Sequence, residues 1–223
     1  MSNNSSKQII LSVVSVAILI IAVVGVSFAV FSYTRKGTSN NKITTGKIVF
    51  SFNDGDTINL TNHFPISTET GVGLTGENNV CTFTITGNSV GGNITYHVYA
   101  VPGDTETGKT RFQDNEVFAY ITSTLGSNAT SENFSFTPAG SFGQGAALTG
   151  IASTNGVELG SGLIKTTSAA TAATSRTRNF EVHMWVDSSV VSISDTQTGN
   201  HIYSTTDYEN LYYSMKIQVV ANA

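Results

Sequence analysis

The sequence predicts an all-β body of antiparallel strands behind an N-terminal hydrophobic signal or anchor helix. Apolar and polar residues alternate with a period of two in six separate segments. Glycine-bearing turn signals separate strand-like runs, and helix signals beyond the N-terminal region are confined to one short stretch.

At the N-terminus, Ile9 to Phe31 is a run of 23 residues without a charge. At a helical rise of about 1.5 Å per residue it is long enough for a bilayer core of roughly 30 Å. Lys7, the apolar run to Val26, and the small residues Ser27 and Ala29 also meet the needs of an export signal, with small side chains at −3 and −1 of the cut. Cleavage after Ala29 makes Val30 the new N-terminus. The competing expectation is a retained anchor through residues 9–31, because the run exceeds the roughly 7–15 residues of a usual signal core. Long domains translocate largely regardless of loop charge, so both readings put the C-terminal part outside the cell. The expected organisation is 1–29 signal peptide or anchor, 30–46 polar linker and strand-donating segment, and 47–223 β-domain.

The strand-like segments are "KIVFSF" (47–52), "VCTFTIT" (80–86), "NITYHVYAV" (93–101), "VFAYITST" (117–124), "RNFEVHMWVD" (178–187) and "YYSMKIQVVA" (212–221). In the fifth, Phe180, Val182, Met184 and Val186 share one face and Glu181, His183, Trp185 and Asp187 the other, which predicts a strand with one dry face. Asp54-Gly55 and Gly91-Gly92 lie between such runs and suit tight hairpins. "TTDYENLYY" carries a capping-box spacing at Thr206 and Glu209, predicting one short helix before the last strand. The Gly-rich 139–150 and Ala/Thr-rich 166–175 read as long surface loops.

Composition narrows the function classes. Charged residues are 12% of the chain and the net charge is −4, where about 25% charged is usual. The eleven Lys and Arg are scattered, with no basic stripe to displace counterions from phosphates, so no nucleic-acid partner is expected. The single Cys81 excludes an internal disulfide, and its setting in "VCTFTIT" predicts a small core hydrophobe.

No catalytic, cofactor or metal residues are assigned. "GVGLTG" (71–76) has the spelling of a dinucleotide loop but leads into a strand instead of a helix, so it reads as a flexible loop. His63, His97, His183 and His201 occur singly, without the spacing that lets one element hold zinc. His97 and His183 lie on predicted strands and are expected as solvent-side imidazoles, not a shared metal site. Asp54 and Asp56 open like a calcium loop, but Ile58 and the missing glutamate break the pattern. Trp185 is either an exposed stacking platform or the cover of a sheet. Sequons at Asn59, Asn93, Asn128 and Asn133 suit glycosylation on a eukaryotic secretory route, and chance in so polar a chain accounts for them equally well.

The order of a long apolar export segment, a small-residue cut, the aromatic start "AVFSYT", then "TTGKIVFSF", "TINLTN" and "CTFTITGN" resembles the TasA and camelysin group of Gram-positive surface proteins. Those proteins leave the cell through the SipW-type signal peptidase. The likeness covers residues 10–62 and 80–101, and more loosely 180–221, while "HFPISTETG" departs from the Pro-Gly-Asp turn frequent in the family. It implies a jelly-roll-like antiparallel β-sandwich that self-associates into extracellular biofilm-matrix fibres, each subunit's freed N-terminal segment completing the sheet of the next. Camelysin-type proteins are named as peptidases; with no nucleophile or metal arrangement to support that chemistry, a non-enzymatic role is expected.

Strand addition is physically coherent on its own terms. An open sheet edge exposes N–H and C=O groups that an extended peptide satisfies. After a cut at Ala29, Phe31 and Tyr33 alternate with Ser32 and Thr34, so two aromatics enter a groove while two hydroxyls face outward. Burying two aromatics contributes on the order of 3–6 kcal/mol before ordering costs. The alternatives are a membrane-anchored surface or envelope protein, including a viral jelly roll or an adhesin, and a secreted metallopeptidase.

Overall fold

The computed structural model describes residues 32–36, 41–45, 48–53, 57–61, 63–76, 79–90, 92–166, 175–192, 201–203 and 210–222, with backbone alone for 32–53, 192 and 201. Ser27, Ala29, Val30 and Phe31 lie outside the described residues, as do the apolar run, the helix expected at 206–209 and most of loop 166–175. Among the described residues no helix is long and apolar enough to cross a membrane.

The strands are β1 (Ser32–Lys36), β2 (Asn41–Thr45), β3 (Ile48–Asn53) and β4 (Ile58–Thr61), followed by the short helix α1 (Thr68–Val72). Next come β5 (Val80–Ser89), β6 (Ile94–Pro102), β7 (Thr110–Arg111), β8 (Val117–Leu125), β9 (Phe134–Pro138), β10 (Ala146–Ala147) and β11 (Val157–Ile164). The chain closes with β12 (Arg176–Val186), β13 (Val191–Ser192), β14 (His201–Ile202) and β15 (Leu211–Asn222). The fold is all-β and mostly antiparallel. A seven-stranded sheet runs β1-β15-β6-β11-β9, with β4 and β7 also paired to β15, and a six-stranded sheet runs β10-β8-β12-β5-β3-β2.

All six segments read from alternation are strands, and in the five whose side chains are described a period of two puts one row on the core. Ile94, Tyr96, Val98 and Ala100 of β6 and Tyr213, Met215, Ile217 and Val219 of β15 meet Phe180, Val182, Met184 and Val186 of β12 in one buried cluster. Phe180 stacks on Phe83 at 4.8 Å and receives the edge of Phe136, from the other sheet, at 4.9 Å. Each such side chain contributes roughly 1.5–3 kcal/mol on burial. Cys81 is buried in the same cluster.

The expected hairpins at Asp54-Gly55 and Gly91-Gly92 are corrected by the topology. β3 and β5 belong to the six-stranded sheet while β4 and β6 belong to the other, so neither β3–β4 nor β5–β6 is a hairpin; Asp54, Gly55 and Gly91 themselves lie outside the described residues. From β1 to β12 only β2–β3 and β6–β7 are consecutive strands within one sheet; every other connection changes sheet. Loop 139–150 also differs from its expected surface role: Phe142 and Leu148 are buried beside Ile151, and Ile121 N–H donates to Phe142 O at 3.0 Å.

One end of the core is closed by two arginines on the inner row of β12. Arg178 donates to Phe134 O through Nε at 3.1 Å and Nη2 at 2.6 Å, and to Ser123 Oγ through Nη1 at 2.7 Å. Arg176 Nη1 donates to Lys165 O at 2.8 Å and Asn133 O at 3.2 Å. Burial lowers the pKa of both. The guanidinium forks tie β12 to the β9–β11 edge of the opposite sheet.

β11 escaped the alternation pattern because Gly160 and Gly162 interrupt it, yet the packing requires them. A Cβ at Gly162 would meet Ser135 O and the ring of Tyr96, and one at Gly160 would meet the ring of Phe136. Gly162→Ala is expected to destabilise the fold by about 1–3 kcal/mol through overpacking, read as a lower urea midpoint with an unchanged slope.

Candidate functional site: the edge of β15 and the strap over β12

The last strand organises the larger sheet. β6 pairs with it from Met215↔Pro102 to Asn222↔Thr95, occupying one side. The other side is shared end to end by two strands. β4 pairs antiparallel from Tyr212↔Thr61 to Met215↔Ile58, and β1 from Lys36↔Gln218 to Ser32↔Asn222. Between Lys36 and Ile58 the chain leaves this edge to build β2 and β3 in the opposite sheet. Three residues expected to donate a strand, Ser32, Tyr33 and Thr34, therefore lie in an edge strand of the chain's own sheet, and Phe31 lies outside the described residues.

The register sets Tyr33 opposite Ala221 and Arg35 opposite Val219, both on the buried row of β15, while Thr34 stands opposite the half-exposed Val220. β15 is buried on its second row too, at Tyr212, Ser214 and Gln218. Gly103 packs there so closely that a Cβ would meet Ser214. Lys216 Nζ bonds Asp104 at 2.7 Å, and on the inner row the Arg111 guanidinium lies 4.1 Å from the centre of the Tyr213 ring. Gln218 Oε1, at the position paired with Lys36, is buried without a hydrogen-bond partner among the described residues. Such an orphan acceptor costs roughly 1–3 kcal/mol.

The second built feature covers the outer face of β12 and corrects the expectation of one dry face. Trp185, Asp187 and His183 are 1%, 1% and 4% exposed, so both rows are buried there. The cover is formed by residues 63–76 and Asn79, a strap sewn to β12 and its C-terminal continuation by backbone bonds. Ile66 N–H donates to Val186 O at 3.0 Å and Ser188 N–H to Ile66 O at 2.9 Å; further along, Met184 N–H donates to Asn79 O at 2.9 Å. Ser67 caps α1 by accepting from Thr70 N–H, a local signal present in the sequence but passed over. Gly71, expected within a flexible loop, instead lies inside that helix against the Trp185 ring, where a Cβ has no room.

Asp187 anchors the strap. Its carboxylate accepts from Trp185 Nε1 at 2.8 Å, Thr68 Oγ1 at 2.7 Å, Ser189 N–H at 2.9 Å and the Ser189 hydroxyl. Burial alone raises this carboxyl, but the hydrogen bonds from Ser189, Thr68 and Trp185 outweigh it and hold the pKa below the ordinary aspartate value. Trp185 thus covers a sheet and is no exposed platform.

His97 and His183 lie in different sheets. His97, on β6 of the seven-stranded sheet, places Nδ1 2.9 Å from Glu158 Oε1. His183, on β12 of the other sheet, is not solvent-side as expected: Nδ1 is 3.4 Å from Gly71 O and Nε2 3.1 Å from Glu181 Oε1. Burial lowers the pKa of His63 on the strap. Among the described residues no group of three His, Cys, Asp or Glu is arranged to hold a metal ion. Comparisons with models of known families, with curated proteins and with solved structures give no match.

The depressed pKa of Asp187 gives a signed prediction. A carboxyl titrating lower in the folded state contributes stability that is present above the unfolded pKa and lost as pH falls through the folded one. The Asp187 contribution is therefore complete at neutral pH and declines from about pH 4 downward. Trp185 is the only tryptophan, so its fluorescence reports the strap. Asp187→Asn is expected to cost roughly 1–3 kcal/mol at pH 7 and to flatten the acid limb of the urea midpoint against pH.

Proposed function

We propose that the chain is a secreted structural protein, a jelly-roll-like β-sandwich that polymerises as the subunit of an extracellular surface or biofilm-matrix fibre by N-terminal strand addition. The observation that carries this reading is the pairing of β1 with residues 218–222 of β15. A five-residue strand beside the chain's N-terminal region adds to a sheet edge that β4 covers only in part. The resemblance to the TasA and camelysin group points the same way.

The energetics favour exchange over loss. A β1 strand from a second copy makes the same backbone bonds to β15 as the chain's own, so swapping conserves the contacts. The balance between a closed monomer and a chain of subunits then rests on the local concentration of the tethered strand against that of its neighbours. Donation from each copy to the next is a head-to-tail interface, which grows as an open filament wherever its rotation does not close a ring.

The uncharged run supports a second reading. It ends at Phe31, immediately before β1 begins at Ser32, so a retained run would hold the β15 edge at a membrane. Mass spectrometry of the exported protein separates the two: a start at Val30 supports the fibre, and a start at Met1 or Ser2 supports the anchored surface protein.

Deleting residues 30–34 from the processed protein is expected to abolish filaments in electron micrographs while far-ultraviolet dichroism retains the β signature. A synthetic peptide of residues 30–36 is expected to bind the truncated protein. Unchanged filaments would dismiss the strand's role.

A further inference from the structure

We propose that the outer face of the six-stranded sheet binds a neutral polysaccharide chain, a site separate from the β15 edge and independent of the fibre reading. A concavity of about 350 Å³ lies over the middle of this sheet, lined by Thr82 and Thr84 of β5, Thr122 and Thr124 of β8, and Asn179 and Glu181 of β12. The register arranges them in two rungs, Thr84-Asn179-Thr124 and Thr82-Glu181-Thr122. Neighbouring strands are about 4.8 Å apart and successive outward residues roughly 6.6 Å apart along a strand, giving a flat grid about three strands wide.

The chemistry of the grid matches a pyranose. Each threonine offers a methyl group and a hydroxyl that accepts and, except at Thr84, whose hydrogen is given to Asn179, also donates, as a sugar ring offers C–H faces and hydroxyls. Asn179 and Glu181 at the centre supply the paired acceptor and donor groups that fix orientation in a ligand cleft. Both are held by neighbours: Thr84 Oγ1 donates to Asn179 Oδ1 at 3.0 Å, and His183 Nε2 lies 3.1 Å from Glu181 Oε1. Asn179 Nδ2 and Glu181 Oε2 have no partner among the described residues. One rung further on, the half-buried Tyr120 pairs with His183 and extends the surface with a ring on which sugar C–H groups can stack.

Charge selects the kind of chain. Among the described residues Glu181 is the one ionisable side chain lining the concavity, and no Lys or Arg of these residues lines it. With a net charge of −4 on the whole protein, the face disfavours polyanions and suits neutral glycans.

Affinity gel electrophoresis of the intact exported protein tests this, with hydroxyethylcellulose, amylopectin, galactomannan and glucomannan as neutral probes and polygalacturonate as the anionic one. Retardation by at least one neutral polymer and none by polygalacturonate is expected. Replacing Thr82, Thr84, Thr122 and Thr124 together by valine, which keeps shape and removes the hydroxyls, is expected to weaken retardation at least tenfold with an unchanged melting temperature. Asn179→Ala, at an exposed position, is expected to weaken it at least fivefold and serves if the valine variant does not fold. Absence of retardation by every neutral polymer, equal retardation of the folded variants, or preference for polygalacturonate would overturn the proposal. So would self-association that the variants abolish without any polysaccharide effect, which would assign the face to a second copy of the chain.

Discussion

β15 is paired along both edges, its inner row is buried throughout, and Tyr212, Ser214 and Gln218 bury much of its second row. β6 holds one edge, β4 and β1 divide the other, and its inner row from Leu211 to Ala221 enters the common core. A strand in this position transmits any change at its edge to the core, since a slip of one residue exchanges its two rows. Its two edge partners are unequal. β4 is fixed by the buried Ile58 and Leu60, whereas β1 meets a position, Gln218 opposite Lys36, whose buried side-chain oxygen has no hydrogen-bond partner among the described residues. Backbone pairing at this half of the edge is the constraint from which the assembly reading follows.

The strand segments were legible because half-burial imposes a period of two. The connections were not, because turn residues report a change of direction and leave the partner strand unspecified. Asp54-Gly55 and Gly91-Gly92 fall in sequence between β3 and β4 and between β5 and β6, but the chain changes sheet at nearly every connection, so the hairpin expectation failed at both. β11 was invisible for a related reason: Gly160 and Gly162, poor strand formers, are selected there by the rings of Phe136 and Tyr96. Propensity describes a residue alone, and these positions are set by what lies across them.

The strap shows where one-dimensional reading stops. Alternation in 178–187 assigned Glu181, His183, Trp185 and Asp187 to one outward row, which is correct, and then assumed that outward means wet. Burial of the last three depends on residues 63–76 and Asn79, more than a hundred residues earlier in the chain for most of their contacts. The signals were present in the Ser67 cap, in Gly71, and in an aspartate two residues beyond the lone tryptophan, but only the tertiary contact gives them a common meaning. The same outer surface, where the strap ends, becomes the hydroxyl-lined concavity of β5, β8 and β12.

Whether β1 serves its own sheet or that of a neighbour can be read by covalent trapping. Thr34 and Val220 are register partners, and the native Cys81 is buried, so Thr34→Cys and Val220→Cys proteins can be mixed, assembled and mildly oxidised. Strand addition between copies predicts disulfide-linked heterodimers in the filaments, with none from either protein alone. Cross-linking confined to single chains of the double variant, with none between the mixed proteins, would contradict it.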